Sequence, residues 1–368
     1  MSRPSRALID LDALRCNYAL ARQQHGARVL AVIKANAYGH GAVRCAQALA
    51  DQADGFAVAF LEEALELRAS GIRAPILLLE GVFAPSELAA VHQHALWIAV
   101  HHAAQLRMIA QSPSAVRGLN VWLKVDSGMH RAGFAPHHAA AAHAQLLASG
   151  KVEHITLMSH FACADEPDAE TTRAQIATFD KATAGLTGER SLSNSAGLLA
   201  WPEARRDWAR AGILLYGANP IAAAQHGLRP VMHLESTVFA ERLLQPGEAL
   251  GYGASFVAPQ STRVGLVAIG YADGYPRSAP TGTPVRVGQH ITRTLGRVSM
   301  DMMAVDLSHA PGEGVGSGVE LWGNQVPVNT VAAQAGTIAY ELLCNVKRVP
   351  KIYGEGGKQQ ESNLPRSG

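Results

Sequence analysis

From Ala7 to about Gly227, short β-branched and aliphatic runs alternate with amphipathic stretches. The apolar runs end near Lys34, Phe60, Leu79, Val100, Lys124–Val125, Ser159, Ser193 and Arg210. Several are apolar throughout, as expected of parallel strands buried on both faces. Segments with helical periodicity lie between most of them, including 61–69 and 136–148. This βα alternation predicts a parallel sheet, and eight units predict closure into a (β/α)8 barrel of TIM type. An open doubly wound sheet is the alternative, but no Gly-x-Gly-x-x-Gly follows the first strand.

After Gly227 the period changes. Runs beginning at Glu235, Thr262, Pro284, His290 and Met302 are short, alternating or β-branched. Gly- and Pro-rich turns separate them, which predicts a mainly-β domain. One helix is expected within it, over 330–335 or 338–344. The predicted organisation is a barrel domain at 1–227 and a β domain at 228–368, with a polar tail from about 354.

Composition narrows the class. A chain of 368 residues with 48% hydrophobic and 17% charged residues is a globular protein of two domains. A net charge of +2 without a basic stripe argues against a nucleic-acid partner. The sixteen histidines are scattered and no Cys/His spacing suggests a metal. Cys16, Cys45, Cys163 and Cys344 form no paired framework, so a reducing compartment is expected. With no apolar signal core and no run of membrane-spanning length, a cytoplasmic protein is expected.

A barrel carries its functional residues at the carboxyl ends of its strands. Polar residues gather at those positions: Lys34, Lys124 with Asp126, His160, Asn194 with Ser195, and Arg210. A lysine straight after a buried strand either snorkels to water or offers a neutral amine to an aldehyde. Arg210 is a buried ion-pair partner or a cation for a ligand, and the following Gly212 and Ile213 offer backbone N–H groups to a phosphate. Ser195 is an N-cap, an anion contact, or both. Lys124 pairs with an acid across the barrel or serves the site, and Arg131 has the donor fork that binds a carboxylate. His160 is a hydrogen-bonded structural residue or an acid-base group. Tyr252, between Gly251 and Gly253, is a reachable phenol or a packed turn residue.

Taken together these motifs resemble the alanine racemase family, fold-type III enzymes that use pyridoxal 5′-phosphate, and most closely its catabolic bacterial type. The resemblance rests on Val32-Ile-Lys-Ala-Asn-Ala-Tyr-Gly-His-Gly41, Leu123-Lys-Val-Asp-Ser-Gly-Met129, Ser159-His-Phe-Ala162 and Asn194-Ser-Ala196. It continues through Arg210-Ala-Gly-Ile213, Leu215-Tyr-Gly217, Gly251-Tyr-Gly253, Gly270-Tyr-Ala-Asp-Gly274 and Arg297-Val-Ser-Met-Asp301. It spans the chain from Ala7 to Tyr353.

The resemblance implies a two-base interconversion of L- and D-alanine, serving D-alanine supply for peptidoglycan, D-alanine catabolism, or both. It implies a pyridoxal phosphate aldimine on Lys34, with phosphate contacts from Tyr38, Ser195, Tyr353, Gly212 and Ile213. Arg210 would face the pyridine nitrogen and polarise His160. Lys34 would be the base on the D side and Tyr252 the base on the L side. Tyr252 would come from the other subunit of a head-to-tail homodimer. Arg131 would bind the substrate carboxylate near Met300, oriented by a carbamylated Lys124. Two features depart from the pattern: His130, where a small or amide residue is expected, and the tail beyond Tyr353. A broad-specificity racemase, for serine among others, and a non-catalytic pyridoxal phosphate carrier remain alternatives. A decarboxylase of this barrel class would want an acid where Arg210 stands.

Overall fold

A computed structural model describes residues 3–166, 168–221 and 226–354. The expected tail beyond 354 lies outside the described residues. The chain divides into two compact units, one of Asn17–Leu228 and the other of the residues up to Cys16 together with those from Arg229 onward.

The first unit is a closed parallel barrel. Counting from the first strand of the chain, β1 (Arg6–Asp10), its members are β2 (Arg28–Val32), β3 (Gly55–Val58), β4 (Ile76–Leu78) and β5 (Trp97–Val100). They continue with β6 (Leu119–Lys124), β7 (Val152–Met158), β8 (Glu189–Ser191) and β9 (Trp208–Ala211), which pairs back onto β2. Seven of the eight sequence-predicted strand ends fall at or just beyond the ends of these strands, and the eighth, Arg210, falls one residue before the end of β9. The predicted helix at 61–69 is present as Leu61–Ala69, and that at 136–148 begins with a 3-10 turn before Ala139–Ala148.

Side chains from strands that are not neighbours settle which way the residues point. The rings of Trp122 on β6 and Trp208 on β9 lie 5.8 Å apart, and Trp97 on β5 meets both at 6.1 and 5.6 Å. These contacts cross the lumen, so the three indoles form a floor near the amino ends of the strands. Arg28 caps that floor, its guanidinium 4.2 Å from the Trp208 ring. Strand side chains alternate faces, so residues two positions on point the same way, one layer nearer the carboxyl ends. Those residues are Lys124 and Arg210.

The second unit corrects one boundary. Residues 3–16, expected in the barrel domain, belong to the β unit because β1 runs antiparallel to β10 (Met232–Leu244) and parallel to β18 (Lys351–Gly354). An antiparallel partner has no place in an all-parallel barrel whose circle β2 to β9 already closes. The remaining strands are β11 (Ala249–Leu250), β12 (Phe256–Val257), β13 (Thr262–Val267), β14 (Pro284–Val287), β15 (His290–Leu295), β16 (Met303–Asp306) and β17 (Gly318–Trp322). The larger sheet runs β13-β16-β15-β14-β17-β10-β1-β18. Leu244, Phe256, Ala258, Val264, Leu295 and Ala304 pack as one of its cores. Both helical segments considered from sequence form, as Val328–Gln334 and Ala339–Asn345. Among the described residues the four cysteines are free, no His, Cys, Asp and Glu group is placed to hold a metal, and no helix is long and apolar enough to cross a membrane.

Candidate active site

Lys34 leaves β2 half-buried, and the backbone after it does something rare. Ala35, Asn36, Ala37 and Tyr38 have φ of 50 to 55°, a full turn of left-handed helix made of L-residues other than glycine. Such a turn costs roughly 1–2 kcal/mol per residue, so it needs partners. The Glu63 carboxylate accepts from the Ala35 N–H at 2.7 Å and from the Ala59 N–H at 2.8 Å. Asn36 Oδ1 accepts from the Ala42 N–H at 2.8 Å. His40 Nδ1 lies 2.9 Å from Ala37 O and 3.0 Å from Tyr38 O, so it must be the protonated, donating nitrogen. Buried Tyr216 stacks between His40 (4.5 Å) and Tyr38 (4.8 Å) and donates to Val32 O. Glu63 does not stand out in the sequence, where it looks like a helix-surface acid, and the Leu215-Tyr-Gly217 motif does not by itself tell what Tyr216 packs against.

The turn delivers the Tyr38 hydroxyl to Gly212, where a Cβ on the glycine would lie 2.8 Å from it and 3.7 Å from Ser195 Oγ. Ser195 Oγ accepts from the Gly212 N–H at 2.8 Å and opens the helix Ser195–Ala200. The N-cap itself is Asn194, which accepts from the Gly197 N–H, so the Ser195 hydroxyl is released from capping. Ile213 begins the adjoining 3-10 turn, Ile213–Tyr216. Two hydroxyls and a backbone amide thus converge over a bare α-carbon, a cradle that a side chain at 212 would fill.

Arg210 is buried at 3% exposure, with Nη1 donating to Ser191 and Nη2 to Ser159 O (2.6 Å) and Leu192 O (3.2 Å). Burial lowers its guanidinium to about 10, which still leaves it cationic at neutral pH. Its Nη2 also lies 3.4 Å from His160 Nδ1. A guanidinium only donates, so this nitrogen accepts and the imidazole proton sits on Nε2. Burial, then Arg210, Lys124, Arg131 and Lys34, push His160 well below the usual histidine range. It is neutral there.

Lys124 completes the cluster. Burial, then the charges of Arg210 and Arg131, lower its ammonium to about 8; Glu80 opposes the shift and Lys34 adds to it. An unfolded chain holds that proton up to the ordinary lysine value of 10.5, so stability rises with pH between about 8 and 10.5. Lys124→Met is expected to remove this slope and to gain on the order of 3 kcal/mol over the parent below pH 8. Urea unfolding of both proteins at pH 7.5 and 9.5 in buffers freed of carbon dioxide, which keep Lys124 a free amine, checks it; a slope that survives the substitution overturns it.

The barrel therefore brings together Lys34, Tyr38, Lys124, Arg131, His160, Ser195, Arg210, Gly212 and Ile213 at the carboxyl ends of its strands. The other three predicted residues, Tyr252, Met300 and Tyr353, lie in the β unit. Tyr353 is on β18, paired with Ile9. Tyr252 is 68% exposed, held out between Gly251 and Gly253, both with φ near 70°. Met300 is 53% exposed, and its carbonyl accepts from the Ala272 N–H at 3.0 Å. Under that turn, buried Asp273 takes the Gly270 N–H and the Arg3 guanidinium.

Residues 9–220 match the family model of the alanine racemase N-terminal domain, and residues 231–353 match that of its C-terminal domain. This chain belongs to the alanine racemase family. A curated alanine racemase from Azoarcus sp. is 65% identical over 94% of this chain and 98% of its own length. A catabolic alanine racemase from Pseudomonas putida is 59% identical over 95% and 99%. The crystal structure of biosynthetic alanine racemase from Pseudomonas aeruginosa superposes with a TM-score of 0.93 at 48% identity, over 96% of this chain and 99% of that one. That of alanine racemase from Bartonella henselae with covalently bound pyridoxal phosphate gives 0.87 at 28% identity, over 95% and 99%. The N-terminal match covers the strand-end cluster, and the C-terminal match covers the stretch carrying Tyr252, Met300 and Tyr353.

Proposed function

We propose that this protein is an alanine racemase that interconverts L- and D-alanine, using pyridoxal 5′-phosphate carried on Lys34. The observation that carries the reading is the joining of a half-buried lysine to a polar cradle within one cationic barrel end. The cradle suits a phosphate ester: Tyr38 and Ser195 hydroxyls with the Gly212 and Ile213 amides bind its oxygens, and Tyr353 adds a further phenol. When bound, the cofactor withdraws electrons from the substrate α-carbon and so makes its proton removable. Arg210 sets how far that withdrawal goes. Arg210 would meet the cofactor as a fixed cation where an acid would strengthen that withdrawal, so return of the proton would be favoured over transamination or decarboxylation.

Racemisation needs a proton acceptor on each face of the α-carbon. Lys34 Nζ serves the D face and Tyr252 Oη the L face. His160, neutral with Nδ1 turned to Arg210, orders the proton network on the barrel side. Arg131 binds the substrate carboxylate beside Met300. Lys124, with its lowered proton affinity, has neutral amine available to add to carbon dioxide with loss of a proton, and the resulting carbamate anion orients Arg131. The exposure of Tyr252 supports a head-to-tail homodimer in which its hydroxyl completes the partner's site. A cytoplasmic enzyme supplying D-alanine for peptidoglycan or its catabolism fits these chemical requirements.

The test is incubation of the cofactor-loaded protein with L- or D-alanine in deuterium oxide, followed by chiral separation and mass analysis. Both enantiomers should converge on an equal mixture with one deuterium at the α-carbon. Serine, lysine and arginine in parallel measure substrate breadth. Absence of α-deuteration with alanine would overturn the reading in favour of a carrier.

A further inference from the structure

Arg131 sits on a loop that leaves β6 at Lys124 and closes back upon it. The Phe134 N–H donates to Lys124 O and the Asp126 N–H donates to Phe134 O, both at 2.8 Å. The eight residues 126–133 are thus cinched onto the strand end that bears Lys124. Gly133, at φ 131°, permits the closure, since a Cβ there would come within 2.7 Å of the Asp126 nitrogen.

Inside the loop one carboxylate organises the backbone. Asp126 Oδ1 accepts from the Gly128 N–H at 3.1 Å and from the His130 N–H at 3.0 Å, while Oδ2 lies 3.3 Å from His130 Nδ1. Burial alone would raise the Asp126 carboxyl, but the hydrogen bonds from His130 and Gly128 outweigh it and hold it below the usual range. His130 is left-handed at φ 55°, a conformation histidine adopts at a cost unless neighbouring contacts hold it. Its successor in the chain is Arg131. The loop is also tied sideways to the strand end that bears His160. Ser127 Oγ lies 2.7 Å from Ser159 Oγ. Gln175, 1% exposed, packs against Gly128, donates to His160 O and accepts from the Ala162 N–H, both at 3.0 Å.

We propose that Asp126 is the positioning residue for Arg131: its carboxylate fixes the Gly128–His130 turn, and with it the place at which the guanidinium meets the substrate carboxylate. This rests on the reading of Arg131 as the carboxylate-binding residue. Arg131 is itself exposed on a long flexible stem, so its aim depends on where the backbone starts it. Asp126 touches neither substrate nor cofactor. Its influence should appear in affinity for the carboxylate and not in the proton-transfer step.

The experiment uses the cofactor-loaded enzyme and propionate, which has the substrate's carboxylate but no amine to react. Asp126→Ala is expected to raise KM for alanine and Ki for propionate together, by about tenfold, with kcat within about twofold and the cofactor absorbance unchanged. Asp126→Asn keeps an oxygen acceptor for the two amides and should restore most of the affinity. Asp126→Glu keeps the charge but displaces it by a methylene, so it should raise both constants severalfold, which covers the case of an alanine variant that does not fold. His130→Gly, free to be left-handed, should leave KM unchanged. An Asp126→Ala enzyme with normal KM and Ki, a loss confined to kcat, or an asparagine variant as weak as the alanine one would each overturn the proposal. Propionate binding read as a shift in Tm is independent of turnover. A parent protein that binds propionate through Arg131, and loses that binding in Asp126→Ala, yet racemises nothing would refute the functional reading alone.

Discussion

Lys34→Ala is expected to lower alanine racemisation by roughly 10⁴-fold or more, because in the proposed mechanism one amine is both the cofactor's covalent anchor and the D-face base. The near-visible absorption of the loaded protein should vanish in the same variant. The side chain is half-buried and its removal leaves the left-handed turn's own contacts intact: Glu63 to Ala35, Asn36 to Ala42 and His40 to two carbonyls. Far-ultraviolet circular dichroism should therefore match the parent. A variant that keeps its absorption band, or that racemises within tenfold of the parent, would refute the assignment of Lys34.

Tyr252→Phe separates the two faces. Loss of one proton acceptor is expected to slow racemisation by roughly 10²- to 10⁴-fold, while D-alanine in deuterium oxide continues to exchange its α-proton through Lys34. L-alanine should lose exchange along with turnover. The phenol is largely exposed in its own unit, so removing one hydroxyl should change stability by less than about 0.5 kcal/mol. Unchanged turnover of L-alanine would exclude Tyr252 as the L-face base. Exchange lost equally from both enantiomers would mean that the hydroxyl acts on the site as a whole.

The barrel is legible in the sequence because its strands are short apolar runs with polar residues placed just past them. Lys124 and Arg210 share a further mark, each being the charged residue two positions beyond a tryptophan on the same strand face. The first strand misleads for the opposite reason. Ala7 and Ile9 alternate with Arg6, Leu8 and Asp10, and alternation of that kind fits either edge of either domain. Only its pairing with β10 and β18 decides the matter. Strand β17, Gly-Val-Glu-Leu-Trp, gives little local signal because it is short and sits among glycines.

In the site, the chemistry-bearing residues stand out in the sequence while the residues that hold them do not. Lys34, Arg210 and Tyr252 carry reactive or charged groups in unusual settings, and each is visible one residue at a time. Glu63 and Gln175 act on backbone atoms elsewhere along the chain, and nothing local marks them; Tyr216 lies in a motif, but its stacking on the distant Tyr38 ring is not readable from it.

The sequence by itself determined the order of strands and helices, the change to a β domain near residue 228 and the identity of the groups at the strand ends. It did so through periodicity, which is local. The turn after Lys34 belongs to tertiary structure alone. Ala35, Asn36, Ala37 and Tyr38 have, as L-residues, no collective preference for left-handed helix, and alanine prefers the opposite hand. The turn exists because Glu63, Asn36, His40 and Tyr216 satisfy its backbone and clamp its aromatic ring at once. That conformation carries the Tyr38 hydroxyl to Gly212, and a right-handed turn of the same residues would not.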